Sequence, residues 1–559
     1  MAANILSPTA IWKDFNIPFV PSAEIIDTIK EDKATYTKLY IQGQSGGDYV
    51  TKIFATLAKP NKRTKTPAIL LLQDFECGYD EKLVQAFVAQ GFSVLSVDLA
   101  GESENEHFTI YPSALSCANY KNVKNDICTV EASADKTCWY EWTRAARYAL
   151  EYLINQPFVT KVGGFASGEV ATSLWQVVGT TDELACATFV LNAGWRAYRG
   201  VYKFGGDVEP QFSDNMYKFI AGIEPQAYAM HIKTPVLMLS ATNSNEFDCD
   251  RACDTVARIA DGVFKAVHYS VGYRERVSGE AFRSASIFFE EFLKKEQSEL
   301  NVDADISCEV VDGKIAVKVT VLGAAKTVEL YAAEEIADPA KRCWQRVEGG
   351  KKHDGNVYDF EYLPYAHSMQ ASFFARITFK NGFAICTKII NKKFKAEELL
   401  PSHKSKILYS SRLPYAESVF SAAEQDAETN TKINLIDKKR VQVQKGPMGI
   451  EGVGCKWGLL TFKFAAAKDK PAEDGILMFD VYAKEKGELS VRLIADYFGK
   501  KIVYTEKIKL LGGDVWQNVK IAPNRYKTAE GMGLKTYDKI EAVQFDADVG
   551  FLINNALWV

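Results

Sequence analysis

Between about Val50 and Leu293, short apolar runs alternate with longer amphipathic stretches, and this alternation restricts the fold more than any other feature. Runs such as Ala68-Ile-Leu-Leu-Leu72 and Phe92-Ser-Val-Leu-Ser-Val97 offer little solvent face, so they suit strands covered on both sides. Tyr49–Leu57, Lys161–Gly164, Ala187–Leu191, Pro235–Ser240 and Phe264–Val271 read as further strands. The segments between them carry helical periodicity at about Glu81–Gln90, Trp139–Asn155, Glu169–Val178 and Glu280–Leu293, with Gly91 closing the first. Strands and helices in strict alternation imply a mostly parallel sheet with helices on both faces.

After Lys294-Lys-Glu-Gln-Ser-Glu the grammar changes. Residues 302–395 hold short alternating strands such as Lys314–Val321 and Phe373–Phe379, and Asn381-Gly382 marks a hairpin. This suggests an immunoglobulin-like sandwich, in which Cys343 and Cys386 need not pair. A polar link near Pro401-Ser-His-Lys-Ser405 leads to a larger all-β unit, best read as a jelly roll, with a second hairpin signal at Gly512-Gly513. The predicted fold class is therefore multidomain α/β plus all-β. Residues 1–45 form an extension packing on an α/β domain at 46–298, followed by sandwiches at 301–397 and 402–559.

A chain of 559 residues is too long for one ordinary core, and 47% apolar with 25% charged residues is ordinary globular composition. A formal charge of −4 without a basic run excludes a nucleic-acid footprint. No apolar run is long enough to span a bilayer, and the N-terminus lacks the pattern of a signal peptide. The expectation is a cytoplasmic protein, secreted only if a signal has been removed. Eleven irregularly spaced cysteines fit reduced thiols. Cys249 and Cys253 have no second ligand pair at zinc-site spacing, so no metal is assigned. Gly43-Gln-Ser-Gly-Gly47 lacks the ending of a phosphate loop, and no cofactor is called for.

Lys161-Val-Gly-Gly-Phe-Ala-Ser-Gly-Glu-Val-Ala171 reads as a sharp turn from a strand into a helix. Its frame Gly164-Phe-Ala-Ser-Gly168 fits G-x-S-x-G with Ala166 where the serine stands. Together with the Pro67–Leu72 and Gly91–Asp98 strands and Pro235-Val-Leu-Met-Leu-Ser-Ala-Thr-Asn243, in the right order, it resembles the α/β-hydrolase superfamily. The nearest type is that of the acetyl xylan esterases and dienelactone hydrolases, over about residues 35–295. The closing Ile-Asn-Asn-Ala-Leu-Trp-Val559 makes the last module similar to carbohydrate-binding jelly rolls.

The resemblance implies a nucleophile, an acid and a histidine in that chain order. Ala166 has no attacking atom, and Ser167 is the alternative, with Phe165 and Glu169 in its flanking sites. After Leu239–Asn243 come Ser244, Asn245 and Glu246 with no aspartate at the start of the loop, though Glu246 or Asp248 can orient a base. The loop Gly272-Tyr-Arg-Glu-Arg276 contains no histidine. His107 and His268 are the substitutes, and a solvated loop residue or a sheet histidine accounts for each equally. In Gln73-Asp-Phe-Glu-Cys-Gly-Tyr-Asp80 the acids would oppose a developing oxyanion. Cys77 and Cys117 lack an obvious device for lowering a thiol pKa.

The pocket candidates are Gln73, Asp74, Phe75, Trp139, Trp195, Arg196, Arg199 and Arg274. Arg196 and Arg199 suit either a carboxylate ligand or a structural network with acids. Trp457, Tyr482, Tyr497, Tyr504 and Trp516 suit either sandwich core or a sugar-stacking platform. The sequence thus predicts a noncatalytic protein that binds a glycan or small molecule, or assembles as a homo-oligomer through its β modules. Ester hydrolysis of acylated carbohydrates or other small esters through Ser167 or another nucleophile is the alternative.

Overall fold

The computed structural model describes residues 4–559 except 47–48, 62–63, 206–209, 354, 365–367, 401–405, 414–415, 424–431, 436–440 and 457. Trp457, Gly47, His367, His403 and the polar link at 401–405 therefore lie outside the described residues. Among those described, no helix is long and apolar enough to cross a membrane.

The first region is built on β1 (Ala23–Lys30), β2 (Ala34–Gly46), β3 (Tyr49–Pro60), β4 (Thr66–Leu72), β5 (Ser93–Val97), β6 (Val159–Ser167), β7 (Cys186–Val190), β8 (Val236–Ala241) and β9 (Lys265–Ser270). They lie in the order β1-β2-β3-β5-β4-β6-β7-β8-β9. From β5 across to β9 all pairs are parallel, and β4, β5, β7 and β8 are buried along their whole length. β1, β2 and β3 add an antiparallel edge. The predicted boundary at 45/46 falls inside β2, because the N-terminal segment supplies two strands of the sheet and does not merely pack on it. Ahead of them Ile11 and Trp12 are buried, and the Trp12 indole donates to the Tyr228 hydroxyl at 3.1 Å.

The second module holds β10 (Asp303–Val311), β11 (Lys314–Leu322), β12 (Ala325–Glu334), β13 (Gln345–Val347), β14 (Lys351–His353), β15 (Val357–Tyr362), β16 (Gln370–Phe379), β17 (Ala384–Cys386) and β18 (Ile390–Lys393). Its sheets are β10-β11-β15-β14 and β17-β16-β12-β13, with β18 beside β16. Gly382, at φ +88°, sits in the turn between β16 and β17. The second sheet does not stop at the module border. β17 pairs with β9 through Cys386 and Val267, making one continuous sheet, and one apolar core runs from Phe87, Phe165 and Phe289 to Val317, Phe373 and Ile377.

The third module is a sandwich with its own core. One sheet contains Leu477–Ala483, Gln517–Ile521 and Phe551–Trp558, and the other contains Gly487–Ala495, Ile502–Leu510 and Ile540–Ala547. Gly512-Gly513 is not a hairpin, because Ile502–Leu510 and Gln517–Ile521 belong to different sheets. Both glycines have positive φ, +70° and +90°, and carry the chain from one layer to the other.

Candidate functional site

β6 has to admit a helix close against each face, and its two glycines allow this. A Cβ on Gly163 would lie 2.9 Å from Phe289, and one on Gly164 would lie 2.8 Å from Leu174 in the helix Ala171–Val178. The strand then continues through Ala166, whose methyl is fully buried and whose register partners are Leu72 and Phe189. Ala166 is therefore an interior strand residue, not the apex of the turn. Ser167 is also extended, at φ −130° and ψ 146°, and closes β6. The backbone turns at Gly168, where φ is +70°. The strained position of a nucleophile elbow is thus occupied by a residue without a side chain.

The space that a side chain on Gly168 would need is already taken. A Cβ built there would fall far inside contact distance of the Asp74 carboxylate, and Cε of Lys432 would lie 3.4 Å away. The other oxygen of Asp74 accepts the backbone N–H groups of Glu76 and Cys77, both at 3.0 Å. Two amides of the loop after β4 are committed to the chain's own carboxylate and are not free for an oxyanion. Burial, reinforced by Asp74, pushes the Cys77 thiol up to about 12, which removes it as a thiolate nucleophile at neutral pH.

Gln73, Asp74, Cys77, Asp80, Phe165, Ser167, Lys432 and Ile433 line the small recess that remains. Its free space is about 20 Å³, room for roughly one water molecule. No histidine among the described residues lines it. His107 packs against Tyr40 and Phe54 on the antiparallel side of the sheet. His268 is fully buried in β9, with Nε2 3.8 Å from Glu280, whose carboxylate also meets Arg376 of the second module at 3.0 Å. Neither histidine reaches Ser167.

The loops after β8 and β9 are held by the other modules. After β8, Asn243 donates its amide to the carbonyls of Ala340 and Arg342 at 3.1 and 2.7 Å, and Asp250 forms a two-pronged ion pair with Arg342 at 2.5 and 2.8 Å. The Arg342 and Asp250 side chains are only 1% and 0% exposed. After β9, Glu275 accepts Ser244 Oγ and the Asn245 N–H, the latter at 2.8 Å, which ties the two loops together. Arg274 donates to the Tyr497 hydroxyl and to the carbonyls of Ala422 and Ala423, the last at 2.6 Å. It fastens the third module and is not a pocket residue. Lys341–Glu541 and the buried pair Lys468–Glu334, at 2.7 and 3.1 Å, join the second module to the third.

The remaining predicted pocket residues divide in the same way. Trp139 is core, with its indole donating to the Ile127 carbonyl, and Phe75 stacks on Tyr120 and meets Trp142. Trp195 donates to Thr255. Arg196 is held by Glu169 and Glu246 at 2.5 and 3.3 Å, and Arg199 by Glu246 at 2.7 Å, which is the structural network. Burial raises the Glu169 carboxyl above its usual range while Arg196 opposes the rise. Of the suggested sugar platform, Tyr482 and Trp516 come together with ring centres 5.8 Å apart. Tyr497 lies at the module junction, and Tyr504 packs against the third core. The Cys249 and Cys253 thiols donate to the carbonyls of Thr242 and Asp250. Lys432 was not foreseen at all, and nothing local in its sequence context marks it.

No family model and no curated protein matches the chain. Solved structures to which it is similar include esterases. An acetyl xylan esterase from Paenibacillus sp. R4 is 12% identical with a TM-score of 0.39, covering 51% of this chain and 92% of its own. An acetyl xylan esterase from Thermoanaerobacterium sp. JW/SL YS485 is 16% identical with a TM-score of 0.37, covering 49% and 87%. A glucuronoyl esterase from Solibacter usitatus is 14% identical with a TM-score of 0.32, covering 45% and 77%.

Proposed function

We propose that this chain is a noncatalytic binding protein on a hydrolase-like framework, in which the face that would hold a catalytic triad serves to dock the two β modules. The observation that carries this reading is Gly168. The apex of the turn has no side chain, and the Asp74 carboxylate fills the space where one would begin. The commitment of Asn243, Asp250 and Arg274 to the other modules supports it independently. Between binding and open-ended self-assembly, the edges favour binding. The edge strands Lys351–His353, Gln442–Lys445 and Ile502–Leu510 expose Lys351, Lys352, Lys445, Lys507 and Lys509, and such charges oppose edge-to-edge pairing.

The test is exposure of the full-length protein to a fluorophosphonate probe and to p-nitrophenyl acetate. No labelling and no hydrolysis above buffer are expected. Stoichiometric labelling that vanishes in Ser167→Ala would establish the esterase reading instead. Light scattering behind size exclusion tests the assembly question, and a concentration-dependent growth in mass would contradict the preference for binding.

A further inference from the structure

Lys432 belongs to a short piece of the third module that lies against the first region. The Val277 N–H donates to the Lys432 carbonyl and the Asn434 N–H to the Val277 carbonyl, both at 2.9 Å. Ile433 is 2% exposed and shares the apolar core with Phe165 and Val277. With its backbone held on both sides, Lys432 extends into the recess beside Gly168, where the missing side chain leaves room for its Cε. Asp74 and Asp80 line the same recess, and the Lys432 charge acts on Glu169 and Glu275 nearby, whose carboxyls burial would otherwise raise further. An ammonium group is the natural complement of such a place.

A second observation points to a ligand. Gln73 lines the recess, is 6% exposed, and its carboxamide nitrogen has no hydrogen-bond partner. A donor buried without an acceptor is costly, so the recess carries recognition capacity that the chain's own residues leave unused. We infer that the recess is a binding site for a small primary amine carrying an acceptor oxygen, filled in this conformation by the side chain of Lys432. The ligand's ammonium occupies the place of the Lys432 side chain in the recess that Asp74 lines, and its oxygen accepts from Gln73. Ligand and Lys432 side chain therefore compete, and occupancy by the free amine lifts Lys432 out. This deepens the reading of the site as a noncatalytic binding site and rests on it.

Lys432→Ala removes a fragment equivalent to propylamine, which makes 1-amino-2-propanol a suitable probe. Thermal unfolding of the full chain is measured with increasing amine. The Lys432→Ala protein is expected to gain Tm with amine concentration, whereas the parent, already filled, gains little. The gain is expected to be lost in K432A/D74N and K432A/Q73L. An equal rise with neutral 1,2-propanediol, no rise in K432A, or a rise retained in both double variants would overturn the inference. Should K432A fold poorly, its refolding yield with and without the amine reads the same competition. Fluorophosphonate labelling at Ser167 would sink the noncatalytic reading without altering the amine result, so the two failures are distinguishable.

Discussion

Placing a side chain on Gly168 is the most direct perturbation of the site. Two costs are expected in Gly168→Ala. At φ +70° an L-residue pays roughly 1–2 kcal/mol in backbone strain. The new Cβ also meets the Asp74 carboxylate, which cannot retreat freely because Glu76 and Cys77 hold its other oxygen. Overpacking of this kind costs about 1–3 kcal/mol, for a total of about 2–5 kcal/mol. Asp74→Ala removes the obstacle but leaves two amides without their acceptor, at about 1–3 kcal/mol each if water does not replace it. The informative quantity is the coupling. In the Asp74→Ala background, Gly168→Ala should cost only the strain, so the two substitutions should be favourably coupled by about 1–3 kcal/mol. Urea unfolding of the four proteins, followed by tryptophan fluorescence, measures it. Full stability of Gly168→Ala, or an identical cost in both backgrounds, would refute the placement of Asp74 and Gly168. Gly168→Ser restores a hydroxyl at the apex and should still give no ester hydrolysis, since no described histidine lines the recess.

Further outcomes follow from the same geometry. Burial raises the Glu224 carboxyl to about 7, although the Gln226 amide and the Arg196 and Ala197 N–H groups pull the other way. A raised folded value means that this group's contribution is fully present below about 4.5 and lost as pH rises through about 7, at a cost of roughly 3 kcal/mol. Glu224→Gln should flatten stability against pH across that window, and an unchanged slope by urea unfolding would contradict the burial argument. Arg342→Ala strands Asp250 as a buried charge and should cost about 3–5 kcal/mol, with Arg342→Met/Asp250→Leu recovering most of it in the same assay. Arg274→Ala should weaken docking of the third module by about 1.5–3 kcal/mol. Hydrogen exchange would show faster exchange at residues 421–423 with β4 to β8 unchanged, whereas uniform loss of protection would mean that Arg274 supports the whole fold.

The order of strands and helices in the first region was legible because it depends on local periodicity. A run such as Ala68–Leu72 is covered on both faces wherever it is placed. The two strands before Tyr49 carried a weaker signal. β1 lies at the edge of the sheet and is mostly exposed, and β2 alternates only around Leu39 and Ile41. Gly512-Gly513 shows a different limit. Two glycines mark a reversal, but whether a reversal pairs its flanking strands or changes layers depends on the partners those strands find elsewhere.

The site divides along the same line. Sequence alone indicated that the stretch from Lys161 to Ala171 enters a tight strand-to-helix turn, with Ala166 where the G-x-S-x-G frame puts its serine, no aspartate at the start of the loop after Asn243 and no histidine in the loop Gly272–Arg276. These conclusions rest on side-chain chemistry and chain order. Tertiary structure decided that the apex is Gly168 and not Ala166, because strand register and a single φ angle set the apex and the glycine frame spans both. It also decided that Asp74 fills the turn, that Asn243 and Arg274 face other modules, and that Lys432 closes the recess. Asp74 comes from another loop of the first region, and the partners of Asn243 and Arg274, like Lys432, from later modules; contacts at such separation leave no periodic trace in the residues that make them.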